Sequence, residues 1–198
     1  MLHAGIDEAG RGCCIGPMVV ACLAAPRECF AWLRELGVKD SKMLTPGRRR
    51  ELFDAFVQHS LDFSVQFASP AEIDGENLNR LHFNRVVRLI AQTHADVYFV
   101  DAPVPPAGLR KYRKELQGIT GRKVYPLNRA DERIPVVAAA SIVAKVVRDR
   151  SIEYLRAAYG EFGSGYPSDP VTRAWLKENI HFAKQKKVLR EKWRLKTL

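Results

Sequence analysis

Strand-like and helix-like segments alternate along the whole of this chain. The strand-like segments are short apolar or alternating runs, and the helix-like segments carry apolar residues at helical spacing between start and stop signals. This order predicts an α/β domain in which helices flank a mixed central sheet. The predicted strands are 2–7, 18–25, 61–68, 96–102 and 122–127. The predicted helices are 28–36, 46–59, a helical region that opens at 69–70 and carries its apolar face at 76–93, 107–118, 135–159 and one that begins at residue 170.

The longest helix-like segment marks the end of the main domain. It covers 135–159 and is followed by Gly160, which is typical of a helix C-terminus. A turn-rich stretch, 163–170, and a basic tail come next. For a chain of 198 residues we therefore expect a main domain, 1–160, and a small helical, basic extension, 161–198.

The charge balance indicates a polyanionic partner. Lys and Arg number 32 against 22 Asp and Glu, which gives a net charge of +10. Such an excess favours nucleic acid first and acidic membranes second, although a soluble protein can be basic without such a partner. We expect the Lys and Arg residues of the tail from residue 184, Arg190 among them, to neutralise phosphates, with a solvated surface helix as the alternative. No apolar run is long enough to cross a bilayer, and the four cysteines lack zinc-type pairing and a secretory signal. We expect a monomeric, cytoplasmic protein without a membrane partner.

Acidic residues stand where two predicted strands end, Asp7 after the first strand and Asp101 after the strand at 96–102. Carboxyl ends of parallel strands form the ligand crevice of an α/β sheet, so these carboxylates would converge and repel unless a hard cation lay between them. Oxygen ligands alone select Mg²⁺ or Mn²⁺ rather than zinc. Either acid alone is more simply a cap or turn residue, but together, with Glu8 and the basic background, they favour a metal site.

Two other positions are candidates for the same site. Glu8 follows Asp7, but successive side chains on a strand point to opposite faces, so Glu8 joins Asp7 only if the chain bends there. Asp131 precedes the helix at 135–159, where a cap is the simpler role, and Glu132 is equally plausible on local grounds. The five histidines show no ligand spacing, so we expect them to be ordinary surface or core residues.

Five sequence blocks follow one another along the chain. They are GIDEAGRG from residue 5, DSKMLTP from residue 40, VDA from residue 100, ADERIPVVAAASIVAKVVRDR from residue 130 and GSGYPSDPVTR from residue 163. Each block alone has limited specificity. In this order they resemble the ribonuclease HII family, the type 2 ribonucleases H, and its archaeal branch in particular.

The resemblance implies that 1–160 is a catalytic domain with a ribonuclease H-like fold and that 161–198 is a small helical C-terminal extension that binds substrate. It implies an endonuclease that hydrolyses the RNA strand of RNA/DNA hybrids and cuts 5′ of single ribonucleotides embedded in duplex DNA, in ribonucleotide excision repair and DNA replication. Two divalent cations, Mg²⁺ or Mn²⁺, would assist hydrolysis that leaves a 5′-phosphate and a 3′-hydroxyl. The catalytic, metal-holding acids would be Asp7, Glu8, Asp101 and Asp131, and the substrate-binding residues Gly10, Arg11, Gly12, Ser41, Lys42, Lys145 and Tyr166.

The sequence departs from the family pattern after the glycine-arginine-glycine loop, and two other functional classes are compatible with it. Cys13 and Cys14 stand where relatives often have Pro-Val, directly after the glycine-arginine-glycine loop. The residues themselves are also compatible with a non-catalytic nucleic-acid-binding module, in which the acids are caps and the basic tail binds. Another metal-dependent nuclease of the same fold is the second rival. The binding module predicts metal-independent binding without cleavage, and the other nuclease predicts no preference for a ribonucleotide.

Overall fold

The computed structural model of the protein describes residues 1–38 and 44–193. The strands are β1 (Leu2–Ala9), β2 (Met18–Pro26), β3 (Asp62–Ala68), β4 (Val97–Asp101) and β5 (Val124–Leu127). The helices are α1 (Cys29–Glu35), α2 (Pro46–Gln58), α3 (Pro70–Gly75), α4 (Leu78–Gln92), α5 (Leu109–Thr120), α6 (Pro135–Tyr159) and α7 (Pro170–Gln185).

The five strands of the described residues form one mixed sheet in the order β3-β2-β1-β4-β5. β2 is antiparallel to both β1 and β3, whereas β4 is parallel to both β1 and β5. Helices cover both faces of this sheet. The predicted α/β class, with a mixed central sheet flanked by helices, is therefore confirmed.

Helix starts follow the capping signals of the sequence. The Thr45 hydroxyl accepts the Arg48 N–H at 3.2 Å, and Pro46 takes the first helical position of α2. The predicted helical region after residue 69 divides into α3 and α4. Asn77 causes this division because its side chain caps a new helix, accepting the N–H groups of Asn79 and Arg80.

β1 continues beyond Asp7, where the sequence predicts its end. Glu8 and Ala9 pair with Val20 and Val19 of β2. The apolar run stops at Asp7, but backbone pairing does not depend on the polarity of the side chain. The expectation that Asp7 is the last residue of this strand is therefore wrong, and the strand does not end before Glu8.

The face of the sheet that carries α6 also carries α1 and α2. A Cβ atom at Gly5 would lie 2.3 Å from the backbone carbon and oxygen of Val136, so only glycine lets α6 approach β1 this closely. The opposite face is covered by α3, α4 and α5, which bury Ile6, Val20 and Tyr98. This close packing places the first turns of α6 beside the centre of β1.

The C-terminal segment has a hydrophobic cluster of its own. Phe162, Leu176 and Leu189 pack against Ile15 of the loop after β1 and against Ile152 of α6. The extension therefore lies against the loop that follows the first strand. None of the described helices combines the length and the apolar character that a membrane crossing requires.

Candidate active site

Asp7 and Asp101 lie on neighbouring parallel strands. β1 and β4 pair through Ile6 and Val100, and the two aspartates are the next residues along each strand. Side chains alternate across a sheet, and Ile6 and Val100 belong to the cluster on the α4 face. Asp7 and Asp101 therefore share the face covered by α6, where Asp7 is buried and Asp101 is half-buried.

Asp131 reaches the same region from the short 3₁₀ turn Ala130–Glu132, which precedes α6. The Ala130 N–H donates to Asp101 Oδ1 at 3.1 Å and ties this turn to the end of β4. Asp131 is buried, whereas Glu132 is paired with Arg129, with 2.8 Å between Glu132 Oε2 and Arg129 Nη2. Burial therefore distinguishes the two acids that local sequence leaves equivalent.

The pKa of Asp7 is raised well above its usual range. Burial is the largest cause, and the negative charges of Glu8 and Asp101 add to it. Hydrogen bonds from the Ser141 side chain and from the Glu8 N–H, which is 2.7 Å from Asp7 Oδ1, oppose the shift without reversing it. Burial and the neighbouring carboxylates therefore both disfavour the ionised form of Asp7 in the metal-free protein.

Glu8 takes the opposite face of the sheet, as alternation along the strand requires. Its carboxylate lies beside His82 of α4, with 3.3 Å between Oε2 and the His82 Nε2, and beside Arg11, with 3.7 Å between Oε1 and Nη1. Burial acts to raise the pKa of Glu8, but His82 and Arg11 outweigh it and the pKa falls below its usual value. The bend that would bring Glu8 to the α6 face does not occur.

A hard divalent cation fits the ligand chemistry of this region. Asp7, Asp101 and Asp131 supply oxygen ligands alone, which suit Mg²⁺ or Mn²⁺, and the charges of Glu8 and Asp101 contribute to the raised pKa of Asp7. Across residues 1–38 and 44–193, no three Asp, Glu, His or Cys side chains are arranged in this structure to hold a metal ion. Glu8 faces its own partners, His82 and Arg11, across the sheet.

The glycine-arginine-glycine loop follows β1 directly. Gly10 has a φ of +79°, and a Cβ there would lie 2.8 Å from the Pro17 carbonyl oxygen, so the turn requires glycine. Arg11 hydrogen-bonds the Asn79 side chain on α4 in addition to its contact with Glu8. Gly12 lies beside the ring of Tyr166, whose Cε1 would be 3.7 Å from a Cβ at that position.

Tyr166 is held against this loop by Arg148 of α6. The Arg148 guanidinium lies 5.0 Å from the centre of the Tyr166 ring and donates to Cys13 Sγ at 2.9 Å and to the Ser164 carbonyl at 2.5 Å. Burial, with Cys13 as the next cause, raises the pKa of Tyr166 to about 12, so its hydroxyl stays protonated at neutral pH. The ring remains 36% exposed, which leaves a surface for a ligand.

One face of α6 joins the acidic region to Tyr166. Ser141, which hydrogen-bonds Asp7, is followed one turn later by Lys145 and less than one turn after that by Arg148. Lys145 is half-buried on this face. Of the other predicted substrate-binding residues, Ser41 and Lys42 lie outside the described residues.

Three site residues are not found by sequence reasoning. His82 is buried between Glu8 and Tyr112, although its spacing carries no signal. Arg148 supports Tyr166, and its place in a helix one turn from Lys145 is the only signal the sequence offers. Arg190 is expected among the phosphate-neutralising residues of the basic tail, and that expectation is wrong because its side chain is fully buried.

The chain matches the family model described as ribonuclease HII over residues 4–196. A curated ribonuclease HII from Pyrobaculum neutrophilum is 45% identical over 181 residues, which cover 89% of this chain and 88% of the relative. A second, from Archaeoglobus fulgidus, is 43% identical over 198 residues, which cover 98% of this chain and 94% of the relative.

Solved structures give the same result. The ribonuclease HII of the PCNA complex from Archaeoglobus fulgidus superposes with a TM-score of 0.91 at 40% identity, covering 100% of this chain and 98% of that one. Ribonuclease H2 from Pyrococcus horikoshii has a TM-score of 0.86 at 39% identity and covers 98% of this chain and 95% of that one. A Bst-RNase HIII crystallised with Mn²⁺, at 21% identity and a TM-score of 0.80, supports the fold alone.

Proposed function

This chain belongs to the ribonuclease HII family and is an endonuclease of the ribonuclease H type, and we propose that it recognises and cuts 5′ of single ribonucleotides in duplex DNA. Enzymes of this family hydrolyse the RNA strand of RNA/DNA hybrids and depend on divalent metal ions. One observation supports the proposed preference for a single ribonucleotide: the partly exposed ring of Tyr166 lies beside Gly12 of the glycine loop after β1.

The reaction centre in this proposal is the α6 face of the β1–β4 edge. Asp7, Asp101 and Asp131 would hold two divalent cations, Mg²⁺ or Mn²⁺. Glu8, the fourth acid that the resemblance implies, would join them by leaving its contacts with His82 and Arg11 on the opposite face. When bound, such cations supply the activation of the attacking water and the stabilisation of the leaving oxygen. His82 and Arg11 keep Glu8 ionised, because both hold its pKa below the usual value.

Substrate recognition in this proposal combines phosphate contacts with a sensor for the 2′-hydroxyl. Lys145 would contact a phosphate beside the scissile bond, and Gly10, Arg11 and Gly12 would contact the ribose through backbone groups. Only the 2′-hydroxyl distinguishes RNA from DNA at a given site, and sensing it requires a donor or acceptor at close range. The Tyr166 ring would lie under the next sugar and detect the junction.

Two duplexes that differ by one 2′-hydroxyl test this function. With Mg²⁺ or Mn²⁺ the wild-type protein should cut 5′ of the ribonucleotide and leave the all-DNA duplex intact. Tyr166→Ala should lose cleavage of the ribonucleotide duplex far more than it loses duplex binding, because binding is mostly phosphate contact. Comparable cleavage of both duplexes by the wild-type protein would reject the proposed specificity.

Tyr125→Ala is a matched control for the sensor role. Tyr125 is also a partly exposed tyrosine beside an arginine, with the Arg113 guanidinium 4.5 Å from its ring, but it lies on β5 and not beside the glycine loop. This variant should cut the ribonucleotide duplex at the wild-type rate. If Tyr166→Ala behaves like Tyr125→Ala, Tyr166 is not the sensor.

A further inference from the structure

Arg190 lies fully buried behind the glycine loop, although it comes from the far end of the chain. Its guanidinium donates to three backbone carbonyls, with Nη2 2.7 Å from Gly10 O, Nη1 3.0 Å from Arg11 O and Nε 3.1 Å from Gly16 O. Its own N–H donates to the Cys14 carbonyl at 2.9 Å. Among the described residues, no carboxylate forms an ion pair with it.

The direction of these carbonyls determines where the loop N–H groups point. In a trans peptide the C=O of one residue and the N–H of the next point to opposite sides, and the described residues contain no cis peptide bond. Because the Gly10 and Arg11 carbonyls face Arg190, the N–H groups of Arg11 and Gly12 face away from it. Neither N–H has an acceptor within the described part of the chain.

Burying a guanidinium at this position is energetically unfavourable. Burial disfavours its charge and lowers the pKa of Arg190, and an apolar side chain of similar size would avoid that penalty. What an apolar side chain lacks is a rigid fork of five donors that can hold several acceptors in one geometry. The arrangement therefore favours a role in loop geometry over a role in filling the core.

We propose that Arg190 is a positioning residue for ribonucleotide selectivity: through the Gly10 and Arg11 carbonyls, it turns the Arg11 and Gly12 N–H groups toward the substrate sugar. Arg190 itself does not touch the substrate. This inference rests on the proposed function, because it assigns a cause to the selectivity that the function requires. It also gives the C-terminal extension a role that phosphate neutralisation does not cover.

The test compares Arg190→Met with the wild-type protein on the two duplexes that differ by one 2′-hydroxyl. Single-turnover cleavage of the ribonucleotide duplex should fall about 100-fold, the scale expected for a displacement of about 1 Å. The duplex Kd should change less than about threefold, because phosphate contacts elsewhere are retained. Guanidinium chloride at low millimolar concentration should restore part of the rate in Arg190→Ala and leave the wild-type rate unchanged.

Arg85→Met separates positioning from stability. Arg85 is also a buried arginine that donates to a backbone carbonyl, with 2.8 Å between its Nε and Phe67 O, but it lies away from the loop. This control should lose thermal stability and keep its cleavage rate. If the Arg190 variants do not fold, Arg190→Lys, which keeps the charge but not the fork, takes their place and should show the same loss of rate.

Two outcomes separate the inference from the function on which it rests. If the wild-type protein cuts both duplexes, the proposed function is wrong whatever the Arg190 variants do. If the wild-type protein is selective but Arg190→Met cuts as well as Arg85→Met, the positioning role is wrong. The positioning role is also wrong if the cleavage rates of the Arg190 variants fall only in proportion to the fraction of folded protein and guanidinium chloride does not restore them.

Discussion

Replacing Asp101 by Asn should make the metal-free protein more stable and the enzyme nearly inactive. Asp101 follows Val100 on β4, next to Asp7 on β1, and neighbouring strands lie about 4.8 Å apart. Two ionised carboxylates about 5 Å apart would repel by about 3 kcal/mol at an effective dielectric constant of about 20, and the raised pKa of Asp7 means that proton uptake relieves part of this repulsion. Asparagine removes this repulsion and keeps an oxygen that can accept the Ala130 N–H.

The magnitudes can be checked by thermal unfolding. Each kcal/mol shifts the melting temperature of a protein of this size by about 2–4 °C, so relief of about 1–3 kcal/mol should raise Tm by about 2–12 °C in EDTA. In Mg²⁺ at about 100 times its Kd, the wild-type protein should gain about 2.7 kcal/mol, and Asp101→Asn should gain much less. The order of stabilities should therefore reverse or narrow when the metal is added.

Cleavage should respond in the opposite direction. If a lost cation ligand removes about 4 kcal/mol of transition-state stabilisation, the single-turnover rate falls about a thousandfold. Asp96→Asn is the control, because Asp96 lies just before the other end of β4, where its Oδ2 accepts the Leu2 N–H at 2.7 Å. A near wild-type rate for Asp101→Asn, or equal stabilisation of both proteins by Mg²⁺, would refute the metal-site assignment.

Three further predictions concern the groups around this centre. Because the pKa of Asp7 is raised, its favourable contribution to folding is complete below about pH 4 and is lost as the pH rises through the folded-state pKa. In EDTA the Tm of Asp7→Asn should therefore rise relative to that of the wild-type protein from pH 4 to pH 8. A constant Tm difference would contradict the shift. His82→Phe removes a contact of 3.3 Å to Glu8 and should lower metal affinity or cleavage rate about 10–100-fold, as measured by Mg²⁺ titration. An unchanged titration would exclude a role of His82 in supporting Glu8. Lys186 and Lys187 are exposed, and their double substitution by Gln should reduce the slope of log Kd against log salt by about 2, whereas an unchanged slope would mean that they do not contact phosphate.

Element starts and the strand that carries Asp101 were predictable because their signals are local. Thr45-Pro46 and Asp169-Pro170 are each a cap followed by a proline, and both open helices at those positions. Assigning Asp131 rather than Glu132 depended on the family resemblance, since the two acids are adjacent and chemically equivalent. The division at residue 160, the monomeric state and the cytoplasmic location stay predictions.

The errors share one physical cause, which is contact between residues far apart in the chain. Arg190 carries a charge in a basic tail, so local sequence predicts a solvated side chain, but carbonyls of the loop after β1 surround it. His82 is a single histidine on an apolar helix face, and only the fold brings Glu8 beside it. Glu8 itself continues a strand because β2 supplies the hydrogen bonds, a partner that the apolar pattern of β1 cannot reveal.

In the proposed function, α6 links the groups that cut to the groups that sense the sugar. Gly5 allows the start of this helix to lie directly on β1. Ser141 hydrogen-bonds Asp7, and Arg148, seven residues later on the same helix, holds Tyr166. Seven residues correspond to about 10 Å along the helix axis, at about 1.5 Å per residue. In the proposed function, one continuous helix therefore carries both a contact to the reacting carboxylates and the support of the sugar sensor, so the spacing of the two sites would stay constant without a moving part.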